Sequence, residues 1–339
     1  MTLPFVSIVI ASFNSERWIA DCLRSLENQD YPKDRYEIIV VDSSTDRTGE
    51  IARRFNGVKL VRVEGYHIAP EKRNIGIRLA RGELIAFIDS DAFADRKWLR
   101  NLVRPFADPE VGVVGGPNLT PRDADFREKV SGYLLGSSIS SSAMSVRYRA
   151  SEKPFFEADE RHLISCNMAI RRVSLEKVGA FREDMPACEE NELCNRIGRI
   201  GYKMIYTVDA IVWHRRRPIF WPIIKRVYEY GRGRGIFSRT YPRSIKLVYL
   251  LPSVFTIGLL ASPIVLFVRE LLWPLVAVML LYAALALYLG LGVALAERDP
   301  SYLLVIPIVL LPYHISYGLG FLRGLTIRLE RHPPVVPIS

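Results

Sequence analysis

From Leu247 to Leu322 the chain carries only five charged residues: Arg269, Glu270, Glu297, Arg298 and Asp299. They separate three apolar segments, Leu247–Val268, Leu271–Ala296 and Tyr302–Leu322. About 20 apolar residues suffice to span a hydrocarbon core as a helix. Three such runs are more than a soluble domain encloses, so three transmembrane helices over 247–322 are expected. The rest of the 339-residue chain must fold beside a membrane.

The charge distribution agrees. The formal net charge is +10, and charged residues are 24% of the chain. Since 247–322 holds two basic and three acidic residues, the excess lies outside it. Just ahead, residues 219–246 mix Phe220, Trp221, Tyr228, Tyr230, Phe237 and Tyr241 with Lys225, Arg226, Arg232, Arg234, Arg239, Arg243 and Lys246. Aromatics and cations together predict an amphipathic segment lying in the membrane interface on the cytoplasmic side. The positive-inside rule runs the first span outward. Three spans then leave the basic tail, 323–339 with Arg323, Arg328 and Arg331, outside, against the same rule. Either the tail is tolerated there or one segment is re-entrant.

Residues 5–115 read differently. Short apolar runs at Phe5–Ala11, Tyr36–Val41, Val58–Val63, Glu83–Ile88 and Val111–Gly115 alternate with helical stretches at 15–28, 46–55, 70–81 and 96–106. That alternation predicts βαβ units and a mostly parallel sheet. In such sheets ligands bind at the carboxyl ends of the strands. Ser12–Asn14, Asp42–Asp46 and Asp89–Asp91 all fall there. Residues 117–163 read as an irregular, loop-rich insertion. Strands are expected again at 164–171 and 202–213, with an acidic-start helix at 187–200.

The remaining features narrow the class. Cys22, Cys166, Cys188 and Cys194 show no paired spacing, so neither a zinc site nor a disulfide scaffold is expected. Reduced thiols suit a cytoplasmic domain. The N-terminal apolar run 5–11 is too short for a signal peptide. No charge lies inside any span, so an ion pathway has little support. The arginines cluster beside the membrane segments, which favours anionic lipid over nucleic acid.

The strand-end clusters carry the chemistry. Asp89-Ser90-Asp91 follows Leu84–Ile88, and two carboxylates one residue apart can hold Mg²⁺ or Mn²⁺. The plainer reading is a polar turn with an Asp cap. Asp42 can accept a hydrogen bond from a nucleobase N–H, whereas Asp46 suits an N-cap.

These pieces occur in a recognisable order: Val6-Ser-Ile-Val-Ile-Ala-Ser-Phe-Asn14, Val40-Val-Asp-Ser-Ser-Thr-Asp46, Lys72-Arg-Asn-Ile-Gly76, Asp89-Ser-Asp91, Cys166-Asn-Met-Ala-Ile-Arg-Arg172, Gly179-Ala-Phe181, Glu189-Glu-Asn-Glu-Leu-Cys194 and Gly201-Tyr-Lys203. The series resembles the inverting family 2 glycosyltransferases with the GT-A fold, over about residues 4–245. The apolar C-terminus is similar to the cellulose- and hyaluronan-synthase-like branch.

The resemblance implies roles. Asp42 would read the base of a nucleoside diphosphate sugar, with Ser12 and Asn14 lining the nucleotide pocket. Lys72, Arg73 and Asn74 would face ribose and diphosphate. Asp91 would bind the divalent cation, Mn²⁺ or Mg²⁺, with Asp89 on ribose or metal-bound water and His214 near the diphosphate and metal. Arg232 and Arg234 lie where the synthase branch carries Gln-x-x-Arg-Trp, and one of them would pair with the diphosphate. The Trp of that motif is absent, which weakens the case for processive polymerisation. The general base falls to Glu190, where the family usually has Asp.

The expected protein is therefore an α/β nucleotide-sugar-binding domain over 1–218, an interface segment over 219–246, three spans over 247–322 and the tail. It would sit in the cell membrane, multi-pass, with its catalytic domain cytoplasmic. The expected reaction moves one sugar from a nucleoside diphosphate sugar to a hydroxyl of a lipid-linked glycan or glycolipid. Mannose is the sugar suggested by the lipid setting and by a composition with a single glutamine, Gln29. A polyprenyl-phosphate sugar synthase, a processive synthase and a membrane scaffold with a degenerate nucleotide domain are the competing readings.

Overall fold

Val- and Ile-rich runs bounded by Gly, Pro, Asp and Ser favour strands, and the chain follows them. The computed structural model describes residues 3–149, 155–185 and 187–329. The expected basic tail lies outside the described residues from 330 on. The chain divides into two units. The first runs through Arg122 and resumes over Val146–Arg215. The second is formed, among the described residues, by Asp123–Ser145 and residues 216–329.

The first unit is α/β. Its strands are β1 (Val6–Ser12), β2 (Tyr36–Asp42), β3 (Val58–Arg62), β4 (Leu84–Ile88), β5 (Ala92–Ala94), β6 (Val111–Gly115), β7 (Asn118–Leu119), β8 (Phe155–Glu157), β9 (Asn167–Arg171), β10 (Lys203–Thr207) and β11 (Val212–His214). Eight form one sheet in the order β3-β2-β1-β4-β9-β6-β10-β8. The first four are mutually parallel, and β9 is antiparallel to both its neighbours. Strand β10 is parallel to β6.

Helices cover both faces. Ile8 and Ile10 join Leu23 of α1 (Ile19–Glu27), Ala52 of α2 (Thr48–Ala52) and Trp98 of α4 (Trp98–Val103) on one side. Val9 and Phe87 join Ile77 of α3 (Ala69–Leu79), Leu175 of α7 (Arg172–Val178) and Leu193 of α8 (Glu189–Arg199) on the other. Burial on both faces explains why the strands read as continuous apolar runs rather than alternating ones. Trp98 is fully buried. Truncating such a side chain to Ala costs about 3–5 kcal/mol.

A second, three-stranded sheet has the order β5-β11-β7. These strands are two or three residues long. The expected strand over 202–213 is thus two strands, with Thr207–Val212 turning between them. In the β5–β11 pair, His214 stands opposite Ala92. That register brings His214 beside Asp91.

The second unit is helical: α5 (Phe126–Gly136), α6 (Ser138–Ser141), α9 (Trp221–Thr240), α10 (Leu251–Ala261), α11 (Leu272–Glu297) and α12 (Ser301–Thr326). Three stretches are long and apolar enough to cross a membrane: Leu247–Leu266, Arg269–Glu297 and Ser301–Thr326. Their outward side chains show the same character: Leu251, Val254, Ile257, Leu260, Leu281, Tyr288 and Leu295 are exposed, as lipid-facing side chains are.

Two expectations change here. Residues 117–163 are not simply loop: Asp125 caps α5 by accepting from the Glu128 N–H at 2.8 Å. Val130 and Leu134 then pack with Ile219, Ile223, Ala286 and Tyr313. The stretch 123–145 therefore belongs with the C-terminal helices, not with a domain over 1–218. Helix α9 is likewise more than a surface segment. A Cβ on Gly231 or Gly235 would overlap the carbonyl oxygens of Tyr317 or Phe321, and one on Gly320 or Gly324 those of Tyr228 or Arg232. Small residues at these positions let the α9 and α12 backbones touch.

Candidate active site

The rim of the sheet is built by the carboxyl ends of β1, β2 and β4. Ser12 pairs with Asp42 in register across β1 and β2, so both end at the same level. The Ser12 hydroxyl is buried and makes no hydrogen bond among the described residues. Asn14 adopts a left-handed backbone at φ 47, which Asn tolerates better than most side chains. Its N–H donates to Ser44 Oγ at 2.7 Å, and its Oδ1 accepts from the Thr45 N–H at 2.9 Å. The β1–α1 and β2–α2 turns are thus tied together.

Asp42 is fully buried. Oδ1 accepts from the Ser44 N–H at 3.1 Å and from the Ser44 hydroxyl, and Oδ2 pairs with the Arg62 guanidinium. A Cβ on Gly49 would meet Arg62 Nη1 and Asp42 Oδ2, both at 2.8 Å. Gly49 therefore gives Arg62 its path to Asp42. Asp46 stands one residue ahead of the α2 N-cap, Arg47, rather than at it, and holds the turn into the helix. Its Oδ1 accepts from the Thr48 N–H at 3.0 Å.

Lys72, on α3, reaches under this rim. Its ammonium donates to the Ser12 carbonyl at 2.9 Å and to Ser43 Oγ at 3.0 Å. Burial disfavours the charge and lowers its pKa to about 8, with Asp42 opposing the shift. Arg73, the next residue, bridges two acids: Nη2 is 3.0 Å from Asp89 Oδ1 and Nη1 is 2.7 Å from Glu189 Oε1. Burial works against its charge, but Asp89 and Glu189 outweigh it and hold its pKa above the ordinary value. Breaking a buried pair of this kind costs about 3–5 kcal/mol, because an acid is left uncompensated.

At the end of β4, Ser90 shares a hydrogen bond with Ser15 across 2.7 Å between hydroxyls. Asp91 Oδ1 lies 3.1 Å from His214 Nε2. Burial lowers the imidazole pKa, but the Asp91 carboxylate and then Cys166 more than reverse this and raise it well above its usual value.

Arg73 also sets the second half of the site. Through Glu189 it links the end of β4 to the start of α8. Cys188, just before, takes a left-handed backbone at φ 62, a conformation that costs a non-glycine residue about 1–3 kcal/mol and clusters at functional sites. Glu190 is buried, and Arg147 Nη1 lies 3.7 Å from its Oε1. Arg147 Nη2 donates to the Glu160 carbonyl at 3.1 Å. Arg147 falls in a stretch read as irregular, and nothing in its sequence surroundings singles it out.

Other expected residues do different work. Asn74 does not face the rim. It is fully buried, and its Nδ2 donates to the Phe181 carbonyl at 2.8 Å and Glu183 Oε1 at 2.9 Å, while Oδ1 accepts from the Phe181 N–H at 3.0 Å. It clips α3 to the chain after α7. Asn167 plays a similar part, accepting from Trp98 Nε1 at 2.8 Å and donating to the carbonyls of Pro117 and Ala210. Arg232 and Arg234 lie in the helical unit. Arg232 pairs with Glu229 at 2.6 Å. Arg234 is buried, its guanidinium 4.7 Å from the Tyr249 ring centre.

The chemistry of the donor set fits a divalent cation of the Mn²⁺ or Mg²⁺ kind. Asp89 and Asp91 offer hard carboxylate oxygens and His214 an imidazole, ligands that Mn²⁺ accepts readily. The free Ser12 hydroxyl and the Lys72 ammonium fit a polyhydroxylated, anionic ligand.

A family model described as glycosyl transferase family 2 matches residues 7–179. Glycosyltransferase AglE of Haloferax volcanii is 27% identical over 267 residues, covering 77% of this chain and 83% of its own length. A Methanococcus voltae protein named dolichyl N-acetyl-alpha-D-glucosaminyl phosphate 3-beta-D-2,3-diacetamido-2,3-dideoxy-beta-D-glucuronosyltransferase is 25% identical over 341 residues, 95% of this chain and 98% of its own. Among solved structures, the mannosyltransferase PcManGT from Pyrobaculum calidifontis, in complex with GDP-Man and Mn²⁺, matches with a TM-score of 0.60 at 24% identity. The match covers 95% of this chain and 88% of that one, and at this identity it speaks for the GT-A fold.

Proposed function

The chain belongs to glycosyl transferase family 2 and is a glycosyltransferase, and from that premise we propose that it moves a single sugar from a nucleoside diphosphate sugar to a hydroxyl of a lipid-linked acceptor at the cytoplasmic membrane face. The observation that carries this reading is the Asp89–Arg73–Glu189 bridge. It ties the donor end of β4 to the helix that presents Glu190. A donor diphosphate and an acceptor hydroxyl can then meet between them.

Each side chain has a task. Asp42 accepts from the base. Its Oδ1 already takes two hydrogen bonds from Ser44, but Oδ2 takes one from Arg62 and keeps a second acceptor position. Arg62 is 43% exposed and is the group that gives way when a base arrives. Ser12 and Asn14 line the nucleoside side, and Lys72 and Arg73 offset phosphate charge. Asp91, with His214 and Asp89, would hold a divalent cation, which neutralises the charge of the leaving diphosphate. Glu190 takes the proton of the acceptor hydroxyl as it attacks the anomeric carbon, giving inversion. Arg147 holds the Glu190 carboxylate in place.

Two relatives inform the substrate. The Methanococcus voltae protein is named for a dolichyl phosphate-linked sugar, which suits a hydroxyl acceptor on a lipid carrier. The Pyrobaculum calidifontis protein is described with GDP-Man and Mn²⁺, which suits the mannose donor expected for this chain. The three long apolar helices suit an acceptor that never leaves the bilayer. The absent Trp of the synthase motif favours one transfer over repeated ones.

The test is a donor screen on detergent-solubilised protein with membrane lipid extract, scoring nucleoside diphosphate release. Release from GDP-mannose that depends on lipid extract is expected. Release from no donor under any divalent cation would reject the reading.

A further inference from the structure

Behind the Asp91–His214 pair lies a sulfur atom that the proposed reaction does not use. Ligand atoms of Asp89, Cys166 and His214 all lie within 4.8 Å of one another. Among the described residues this is the one group of three such side chains with that spacing. We propose that this corner is a binding site for a thiophilic divalent cation such as Zn²⁺ or Co²⁺, held by the Asp89 carboxylate, the Cys166 thiolate and the His214 imidazole.

The geometry is within reach. Zinc bonds of about 2.3 Å to sulfur and 2.0–2.2 Å to nitrogen and oxygen place tetrahedral ligand atoms about 3.4–3.8 Å apart. The present spread of up to 4.8 Å must tighten by about 1 Å. The three donors are of the types that zinc sites combine, with a fourth position left to water. Asp89 gives one oxygen to Arg73, and its Oδ2 makes no hydrogen bond among the described residues. His214 Nδ1 is buried and makes no hydrogen bond to nitrogen or oxygen among the described residues.

The sulfur also has a second protein contact that fixes its position. Asn118 Nδ2 lies 2.9 Å from Cys166 Sγ and donates to it. Asn118 starts β7, which pairs with the strand that carries His214, so the amide donor and the imidazole are held by one small sheet. Outer donors of this kind orient a metal ligand and stabilise its charge. Binding releases the Cys166 proton to solvent. Cys22 is buried beneath the turn, its Sγ 3.6 Å from the Asp89 carbonyl oxygen.

The site shares Asp89 and His214 with the cation expected at Asp91 and differs from it by the Cys166 sulfur, so the two cannot be filled together. The corollary that Zn²⁺ inhibits sugar transfer rests on the proposed function. The binding itself does not, and it is tested without any substrate.

Full-length protein in detergent is titrated with Co²⁺ in the absence of nucleotide. A sulfur-to-cobalt charge-transfer band in the near ultraviolet is expected, saturating at one equivalent and bleached by one equivalent of Zn²⁺. Cys166→Ser should remove the band, and Asp89→Asn should keep it while weakening Co²⁺ binding at least tenfold. If Cys166→Ser fails to fold, the triple variant Cys22→Ala, Cys188→Ala, Cys194→Ala decides, because the band must survive when Cys166 is the only thiol. A wild-type protein without the band overturns the proposal, as does a band that persists in Cys166→Ser or is lost from the folded triple variant.

Discussion

Asp91 Oδ1 and His214 Nε2 stand 3.1 Å apart although 123 residues separate them in sequence. Two three-residue strands make the meeting possible, because the β5–β11 register sets His214 opposite Ala92. The contact puts an oxygen and a nitrogen ligand side by side at the end of β4. A cation there would lie next to Ser90, which Ser15 holds from the β1 turn.

If Asp91 carries the cation, Asp91→Asn removes most of the charge that binds it and leaves His214 without its partner. kcat/KM should fall by at least about 10²-fold, close to 3 kcal/mol, as expected for a group that stabilises charge in the transition state. EDTA should abolish transfer by the wild-type protein, and Mn²⁺ or Mg²⁺ should restore it. Full activity in EDTA would sink the assignment.

Lys72 supplies a pH signature. Burial lowers its pKa to about 8 in the free protein. A diphosphate needs the ammonium form. Below pH 8 Lys72 is charged and the donor KM should be flat. Above it the proton is lost and KM should rise, approaching tenfold per pH unit as donor binding must reprotonate the amine. Lys72→Arg keeps its charge at every accessible pH and should move that limb to higher pH. The measurement is donor KM from pH 6.5 to 9.5 for both proteins, and superimposable profiles would remove Lys72 from the donor site.

Much of the site is legible in the sequence alone, for a physical reason. Apolar runs buried on both faces stop abruptly where the strand leaves the sheet, so Ser12, Asp42 and Asp89 announce themselves. Long helices with unbroken apolar character are equally plain. What stays hidden depends on register or on distant partners. Strands β5, β7 and β11 are too short to show a period. Arg147 reaches Glu190 from a stretch without pattern. Asn74 misleads in the other direction, since a buried amide that ties elements together looks in sequence like one that binds a ligand. The aromatics and cations of 219–246 draw attention away from the glycines of α9, whose missing side chains let α12 pack against it.

That packing has a sign that can be checked. An exposed helical glycine replaced by Ala gains about 1 kcal/mol of helix propensity. Gly292 on α11 has open space where a Cβ would go, so Gly292→Ala should be neutral or slightly stabilising. Gly231 has none, because a Cβ there meets the Tyr317 carbonyl. Forcing atoms into a packed contact costs about 1–3 kcal/mol, so Gly231→Ala should lower the thermal midpoint of the solubilised protein by several degrees. Equal midpoints for the two variants would mean that α9 and α12 do not pack this closely.

The acceptor class turns on Glu190. Glu190→Gln keeps the side chain's size and most of its hydrogen bonding but cannot take a proton. With a sugar hydroxyl as acceptor, transfer should slow by about 10²–10⁴-fold, the usual worth of a positioned base. Donor Kd should change little, because Arg73 holds Glu189 and Asp89, not Glu190, in its bridge. With a polyprenyl phosphate as acceptor the nucleophile is already anionic and needs no base. Removing a buried negative charge then leaves Arg147 free to attract that phosphate, and the rate should hold or rise. Transfer rate and donor Kd are measured for both proteins with lipid extract as acceptor. A near-normal rate promotes the polyprenyl-phosphate synthase over the hydroxyl reading. A lost rate with intact donor binding places Glu190 at the acceptor, and the product's anomeric configuration, opposite to the donor's, then follows from a single in-line displacement.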